Sequence, residues 1–183
     1  MIKDWTLEGS DDVANARIFT LRTEMWLSPK DGVSYPFSIV DAHDWVNIIA
    51  LTDDQQVVMV RQFRVGTRRT TLEIPGGGVE LNEDPLDGGR RELREETGYA
   101  AVRWTSLGFC EPNPAMQNNR CHTFLAEGAY RAGDPTPDQR EDLDVEQVPL
   151  LDIPRLIVTG QITHVLVAHA FHRLDLLRRG VLP

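Results

Sequence analysis

The chain has 183 residues and a formal net charge of −9, because 28 Asp and Glu residues outnumber 19 Lys and Arg residues. A composition of 41% hydrophobic and 26% charged residues is typical of a globular protein and excludes a wholly disordered chain. The acidic balance argues against binding nucleic acid through bulk phosphate attraction, although a bound divalent cation can bring a small phosphorylated molecule to an acidic surface. Two cysteines cannot form a disulfide framework, and the sequence has no recognisable signal peptide or membrane span. We therefore expect a cytoplasmic protein that enters no membrane, and the net charge disfavours nucleic acid as a partner.

The first 45 residues predict a β-rich segment. Residues 18–22 and 25–27 favour strands, and proline and glycine residues punctuate the segment. The apolar runs 45–51 and 57–63 follow, joined by a short polar turn. These two runs predict an antiparallel hairpin in the core of a sheet.

A helix is predicted from Pro85 to about Thr97. Asp84 precedes the proline as a helix N-cap, and Gly98 supplies the stop at the other end. The helix contains a Gly-Gly pair at positions 88 and 89, and each glycine costs about 1 kcal/mol relative to alanine. Close packing or a function would explain why they are tolerated.

The remainder of the chain predicts further strands and then two helices. The strand segments are 102–104, 107–109, 122–126 and 145–151, and the helical segments are 154–159 and 161–178. Strands, a helix, more strands and a final helical part indicate an α+β fold.

Three glutamates of the first helix share one edge. Because each helical residue turns by 100°, Glu92 and Glu96 lie about 40° apart, and Glu95 lies about 60° to the other side of Glu92. A solvated acidic face is one interpretation of such a cluster. A metal site is the other, because these like charges repel and carboxylate oxygens suit Mg²⁺ or Mn²⁺. Three glycines at 76–78 precede the helix, and glycine lets a backbone carbonyl approach a metal or a phosphate closely.

These residues resemble the signature of the Nudix hydrolases. The residues in register with it are Gly77, Glu83, Arg91, Glu92, Leu93, Glu95, Glu96 and Gly98, and only Tyr99 stands where an aliphatic residue is usual. With residue frequencies near ~6%, a chance match has odds of roughly one in a million. The resemblance implies an α+β fold, the Nudix α/β/α sandwich with a mixed central sheet, to which we add a small N-terminal β-sheet.

The same resemblance implies a role for each residue of the signature. Glu92 and Glu96 would be the principal metal ligands, with Glu95 binding an additional ion and the Gly76 carbonyl as a further ligand. Arg91 would orient the glutamates by salt bridges, and Glu83 would support the loop. The expected cofactor is Mg²⁺, with Mn²⁺ as an alternative, and the reaction is attack by water on a diphosphate linked to another group.

Flanking residues resemble the ADP-ribose and nucleoside-diphosphate-sugar pyrophosphatase branch of that family. The resemblance lies in residues 60–64, in residues 72–77 and in Pro114, sixteen residues after Gly98. A Ser-Pro-Gly sequence is usual around this proline, whereas this chain has Asn113-Pro114-Ala115. This departure leaves ADP-ribose, GDP-mannose and UDP-glucose all open as substrates.

Four residues are candidates for substrate contact: Arg61, Arg64, Glu73 and Asn113. The two arginines could hold the diphosphate or a ribose by forked hydrogen bonds, or they could be solvated strand residues. Glu73 could contact the base or ribose, or pair with an arginine. Asn113 opens a polar loop that we expect near the site.

The reaction also needs a general base. The branch commonly uses a glutamate on a loop downstream of the signature, and the acidic segment 138–144 fits that description. We select Glu141 from it. Glu146 is a weaker candidate because it lies closer to a predicted strand.

The resemblance also implies a homodimer, since N-terminal strands in this branch reach across to the partner. We therefore divide the chain into a dimerising β-rich segment, 1–45, and a Nudix hydrolase domain, 46–183. Two other functions stay open at this point. One is an RNA 5′-end or nucleoside triphosphate pyrophosphohydrolase, and the other is a non-catalytic Nudix module that senses a nucleotide.

Overall fold

The structure is a computed structural model that describes residues 1–138 and 142–181. The chain divides into two compact units. The first contains Met1–Asp44 together with Glu111–Arg120, and the second contains Trp45–Cys110 together with Cys121–Pro183.

The first unit is built on a three-stranded antiparallel sheet in the order β1-β2-β3. Its strands are β1 (Thr6–Asn15), β2 (Phe19–Leu27) and β3 (Ser34–Ala42). The predicted pieces 18–22 and 25–27 are one strand, because Thr23 and Glu24 between them stay paired to both neighbouring strands. Every residue of β1 is exposed, so this strand has no alternation of buried and exposed positions that its sequence could have revealed.

Hydrogen bonds join the segment 111–120 to β3 and to the residues that follow β3. The Val40 amide donates to the Met116 carbonyl at 2.7 Å. The Asn118 amide group donates to Asp41 at 2.5 Å, and that of Asn119 donates to the His43 carbonyl at 3.1 Å.

The second unit contains a seven-stranded sheet and a small two-stranded one. The strands are β4 (Trp45–Leu51), β5 (Gln56–Arg64), β6 (Arg69–Glu73), β7 (Gly76–Gly78), β8 (Tyr99–Ala100), β9 (Arg103–Cys110), β10 (Cys121–Glu127), β11 (Tyr130–Arg131) and β12 (Leu143–Pro149). The large sheet has the order β12-β5-β4-β10-β9, with β6 paired to β5 and β7 paired to β4, while β8 and β11 pair separately. Strands β4 and β5 form the predicted hairpin, and β4 runs parallel to β10, so the sheet is mixed.

Helices cover both faces of the large sheet. They are α1 (Pro85–Thr97), α2 (Ile153–Val158) and α3 (Val165–Arg178). On one face Leu93 of α1 packs with Val46, Ile48 and Val58. On the other face residues of α2 and α3 pack with the intervening strand residues, among them Ile49, Met59 and Leu72. A strand buried on both faces reads as a continuous apolar run, as residues 45–51 do. The predicted α/β/α sandwich with a mixed sheet is confirmed.

Helix α1 begins and ends at the predicted residues. The Asp84 carboxylate accepts a hydrogen bond from the Leu86 amide at 2.8 Å, and Gly98 adopts a left-handed φ of 72°. Close packing explains the glycine pair inside the helix. A Cβ atom on Gly89 would lie 3.3 Å from Val46 Cγ2, and one on Gly88 would lie 3.0 Å from Glu83 Oε2.

Helix α3 starts four residues later than predicted. The amides of Gln161 and Ile162 donate to the Leu156 carbonyl, so these residues finish the turn after α2. His164 then caps α3, because its Nδ1 atom accepts from the Leu166 amide at 3.2 Å. Within 1–138 and 142–181, none of the helices combines the length and apolar character that crossing a membrane requires.

Candidate active site

The glycine strand β7 lies directly against the glutamates of α1. In register, Gly77 pairs with Val46 of β4, whose side chain faces α1. The Gly76 amide donates to Glu96 Oε2 at 3.0 Å. A Cβ atom on Gly77 would lie 2.5 Å from Glu92 Cδ, so any side chain at this position would displace the Glu92 carboxylate. Strand and helix therefore position each other through two glutamates.

Burial separates the three glutamates that the sequence predicted as metal ligands. Glu96 is 2% exposed and Glu92 is 9% exposed, whereas the Glu95 side chain is 43% exposed. A buried carboxylate needs hydrogen bonds or a cation. Glu96 accepts a hydrogen bond from the Gly76 amide, and Glu92 accepts one from the Arg91 guanidinium. The structure brings Gly76, Glu92 and Glu96 together and leaves Glu95 at the solvent edge.

Arg91 is the hub of the predicted signature. Its Nε and Nη2 atoms form a forked pair with Glu83 at 2.9 and 3.0 Å. Nη1 donates to Glu92 at 2.8 Å and to Glu95 at 3.2 Å, and Nη2 also donates to the Gly78 carbonyl at 2.9 Å. Hydrogen bonds to Glu83 raise the pKa of Arg91, and the same bonds hold the pKa of Glu83 below its ordinary value. One guanidinium thus fixes the glycine strand, the loop and the helix.

The donor set agrees in kind with a hard divalent cation. Glu92, Glu96 and the Gly76 carbonyl offer only oxygen ligands. Mg²⁺ and Mn²⁺ prefer oxygen ligands to the softer sulfur ligands. Over residues 1–138 and 142–181, no group of three or more His, Cys, Asp or Glu side chains is arranged to hold a metal ion. The Glu92 and Glu95 carboxylates form ion pairs with Arg91 instead.

Arg64 and Glu73 form a bidentate ion pair. Nε and Nη2 of Arg64 donate to the two Glu73 oxygens at 3.0 and 2.8 Å, and the Thr71 hydroxyl donates to Glu73 Oε1 at 2.6 Å. Burial acts to raise the pKa of Glu73, but the hydrogen bonds from Arg64 and Thr71 outweigh it, so the pKa lies below its ordinary value. Of the two alternatives for Glu73, the structure has the one in which it pairs with an arginine. Thr71 was not singled out from the sequence, although its i,i+2 spacing from Glu73 places both on one strand face.

Arg61 stands on the opposite face of the sheet from Arg64. Its register partner is Leu72, which packs with α2 and α3. Glu146 lies on that face as well, as the partner of Met59. Arg61 forms a forked pair with Glu146 at 2.9 and 3.0 Å. The structure therefore does not bring Arg61 and Glu146 to the face that carries Glu92 and Glu96.

The predicted site residues also include Glu141 and Asn113. Glu141 lies outside the described residues. Asn113 belongs to the first unit, where its carbonyl accepts hydrogen bonds from the Met116 and Gln117 amides at 3.1 and 2.8 Å.

Comparison with known proteins agrees with this arrangement. The NUDIX domain family matches residues 42–166. An ADP-ribose pyrophosphatase of Bacillus subtilis is 34% identical over 132 residues, 72% of this chain and 71% of that protein. One of Mycobacterium tuberculosis is 28% identical over 175 residues, 91% and 84% of the two chains. A GDP-mannose pyrophosphatase of Citrobacter koseri is 29% identical over 163 residues, 83% and 85% of the two chains.

A solved structure gives the same fold. The crystal structure of an ADP compounds hydrolase superposes with a TM-score of 0.84, covering 100% of this chain and 99% of that chain at 21% identity. The chain thus belongs to the NUDIX family and is a Nudix hydrolase. Its relatives confirm the resemblance to the ADP-ribose pyrophosphatase branch.

Proposed function

We propose that this chain is a metal-dependent pyrophosphatase that hydrolyses the diphosphate of a nucleoside diphosphate sugar, ADP-ribose or similar. The products are a nucleoside monophosphate and a sugar phosphate. The observation that carries the proposal is the contact between the glycine strand and α1, in which Gly76 binds Glu96 and Arg91 binds Glu83, Glu92 and Glu95. The names of the Bacillus, Mycobacterium and Citrobacter relatives support a nucleotide-sugar substrate.

Glu92, Glu96 and the Gly76 carbonyl would hold Mg²⁺, or Mn²⁺, with Glu95 serving an additional ion at the solvent edge. When bound, the ion neutralises phosphate oxygens and lowers the pKa of a bound water. Arg91 keeps the Glu92 carboxylate in one orientation, and the Gly76 amide does the same for Glu96. Such supporting contacts are commonly worth 10- to 100-fold in metal affinity or activity, roughly.

Arg64 is the substrate-binding arginine that the geometry favours. Its side chain is 44% exposed, and its forked pair with the buried Glu73 fixes its orientation. A fixed guanidinium loses little rotamer freedom when it hydrogen-bonds a phosphate or a ribose hydroxyl. Arg61 is the weaker candidate because it faces α2 and α3, and Asn113 stays a proposed contact from the first unit.

Glu141 is the proposed general base. With Mg²⁺ present, E141Q should lower kcat by about 100-fold or more while leaving KM within about threefold, because a lost proton acceptor acts on the chemical step. E146Q is the control, since Glu146 is paired with Arg61. Equal losses in both variants would remove Glu141 from this role.

The function itself is tested with a substrate panel in Mg²⁺, with products identified by mass. ADP-ribose, GDP-mannose, UDP-glucose, NADH, 8-oxo-dGTP and a 5′-triphosphate RNA form the panel. Cleavage of the sugar nucleotides, abolished by E96Q, is the expected result. Activity confined to RNA or triphosphates would overturn it in favour of the second function, and tight binding without turnover would favour a sensor.

A homodimer formed through residues 1–45, with 46–183 as the hydrolase domain, is also proposed. Strand β1 is exposed throughout, and Trp5, Trp26, Phe37 and Ile39 line an open apolar cavity of about 420 Å³ on this sheet. The edge strand β1 can pair with a strand of a second copy, and the apolar cavity on the sheet offers that copy a surface to bury. Light scattering at micromolar concentration should give twice the 20.7 kDa chain mass, and F37S should lower it. A monomer for the unmodified chain would overturn the dimer.

The chain has two cysteines, which cannot form a disulfide framework. This cysteine usage suits a reducing compartment. A cytoplasmic location is proposed on this ground, and fractionation of the source cells tests it.

A further inference from the structure

The two cysteines of the chain are cross-strand neighbours. Cys110 is the last residue of β9, Cys121 is the first residue of β10, and the two are register partners in this antiparallel pair. Directly opposed α-carbons of an antiparallel pair lie about 4.5 or about 5.5 Å apart, depending on the hydrogen bonding of that pair. A disulfide spans α-carbon separations of about 4.4–6.8 Å. Either kind of pair therefore meets this requirement for a disulfide between Cys110 and Cys121.

The end of the ladder allows the two side chains to approach each other. The β-carbons of opposed residues lie about 4.5–5.5 Å apart, whereas those of a disulfide lie about 3.5–4.5 Å apart, so an approach of about 1 Å is needed. The register of β9 and β10 shifts between His122 and Phe124, which leaves the cysteine pair beyond an irregularity. A register shift disrupts the ladder locally, so the terminal pairs can move without displacing the rest of the sheet.

A disulfide at this position would close the base of the segment 111–120. Cys110 and Cys121 belong to the second unit, whereas the segment between them in the chain belongs to the first. A covalent link between the two ends of a segment reduces the number of conformations that the segment can adopt when it opens. The bond would therefore restrain 111–120, which contains the proposed substrate contact Asn113.

The two thiols differ in their access to solvent. Cys110 is half-buried, whereas Cys121 is 1% exposed. Burial raises the pKa of the Cys110 thiol, and the nearby Arg173 guanidinium acts in the opposite direction. The Cys121 thiol donates a weak hydrogen bond to the His122 carbonyl at 3.9 Å, which oxidation would remove. A small oxidant therefore reaches Cys110 first, and Cys121 reacts only with a sulfur atom that is already beside it.

We infer that Cys110 and Cys121 are a modification site at which a reversible disulfide forms when the surrounding glutathione pool becomes oxidised. The Cys110 thiolate attacks glutathione disulfide, so that a mixed disulfide forms and one glutathione leaves. The Cys121 thiolate then attacks the Cys110 sulfur and displaces the second glutathione. In total the two cysteines lose two protons and two electrons, and one glutathione disulfide gains them as two glutathione molecules. Disulfides in a reducing compartment are usually of this transient kind.

The intact mass of the folded protein tests this site. After incubation with glutathione disulfide, the wild type should be lighter by two hydrogen atoms and carry no glutathione, and dithiothreitol should restore its original mass. C121S should stop at the mixed disulfide and retain one glutathione, whereas C110S should stay unmodified because Cys121 is buried. C121A is the second variant for this position, since it places no hydroxyl group in the core.

Three results of the mass measurement would overturn the site. They are a wild type that keeps both thiols, a wild type that retains glutathione as C121S does, and a disulfide that joins two chains. The wild-type result decides the matter by itself if a cysteine variant does not fold. Because the measurement involves no substrate, its outcome is independent of the proposed function.

Hydrogen exchange measures the effect of the bond on the segment. The amides of 111–120 should exchange more slowly in the oxidised than in the reduced wild type, by about tenfold or more, and the amides of α1 should be unchanged. C110S treated in the same way is the control and should show no difference. Equal exchange of 111–120 in the oxidised and the reduced protein would overturn the restraint on this segment.

Discussion

Gly77 and Glu92 are packed so closely that a Cβ atom on Gly77 would lie 2.5 Å from Cδ and 2.7 Å from Oε2 of the glutamate. The atoms in the way belong to the end of a flexible side chain, so G77A can be accommodated by rotating Glu92 away. We expect G77A to change the free energy of unfolding by less than about 1 kcal/mol and to lower kcat/KM and Mg²⁺ affinity by about tenfold or more. Urea unfolding and a Mg²⁺ titration of activity measure the two effects.

The neighbouring glycine provides the control for G77A. A Cβ atom on Gly78 would meet no atom within 4 Å, and the Gly78 carbonyl oxygen, which accepts a hydrogen bond from Arg91, is retained in alanine. G78A should therefore retain both stability and activity. Similar losses of activity in G77A and G78A would mean that the position of Glu92 does not limit the reaction.

Gly76 differs from both in what surrounds it. A Cβ atom there would clash with the Val46 carbonyl oxygen and lie 2.7 Å from Asn47 Oδ1. The carbonyl belongs to the backbone of a central strand and cannot rotate aside. G76A should lower the free energy of unfolding by about 2 kcal/mol or more, in contrast to G77A. Urea unfolding of the three alanine variants side by side checks this order, and a G76A protein as stable as the wild type would contradict it.

The local parts of this arrangement could be predicted from the sequence, because they depend on neighbouring residues. The helix bounds follow from Asp84 and Gly98, and the glycine run indicates a close backbone approach. The sequence also predicts that Arg61 and Arg64 lie on opposite faces of the sheet, since they are three residues apart on one strand. The ion-pair partner of Arg61 could not be predicted from the sequence. Glu146 is 85 residues away, and its pairing with Arg61 depends on the register of β5 and β12.

The first unit shows the other limit of sequence patterns. Strand β1 is exposed along its whole length, so none of its residues is selected for burial and no alternation appears. Its pairing with β2 also contains two register shifts, after Leu7 and after Asp12. Such irregular pairing is fixed by the neighbouring strand and leaves no periodic signal in the sequence.

Arg91 should not be replaceable by lysine. Its guanidinium bonds four different groups, and the forked pair with Glu83 requires two N–H donors in a plane. R91K keeps the charge but loses the fork, so we expect kcat/KM to fall by about 10- to 100-fold while the protein stays folded. Steady-state kinetics with saturating Mg²⁺ measure this effect.

Arg90 provides a matched control one residue away. It is exposed, pairs with Asp87 on the helix surface and lies over the Trp104 ring. R90K should retain activity within about twofold, because exposed ion pairs contribute little. If R90K were as impaired as R91K, the loss would reflect the helix as a whole rather than the orientation of Glu92.

Glu73 should make stability depend on pH in the acid range. Its pKa in the folded protein lies below the ordinary value, since the hydrogen bonds from Arg64 and Thr71 outweigh the effect of burial. The charged form is therefore favoured by folding, and its contribution is complete above the unfolded pKa of about 4.3 and is lost as the pH falls through the folded pKa. We expect E73Q to lower the free energy of unfolding by about 1–3 kcal/mol near pH 7, and this difference from the wild type should shrink below about pH 4. Urea unfolding between about pH 3.5 and about pH 7 measures the difference. E146Q serves for comparison, because Glu146 and Arg61 are both partly exposed, and it should cost less than about 1 kcal/mol. A difference between wild type and E73Q that grows on acidification would contradict the ionised pair, because it would require Glu73 to be stabilising in its protonated form.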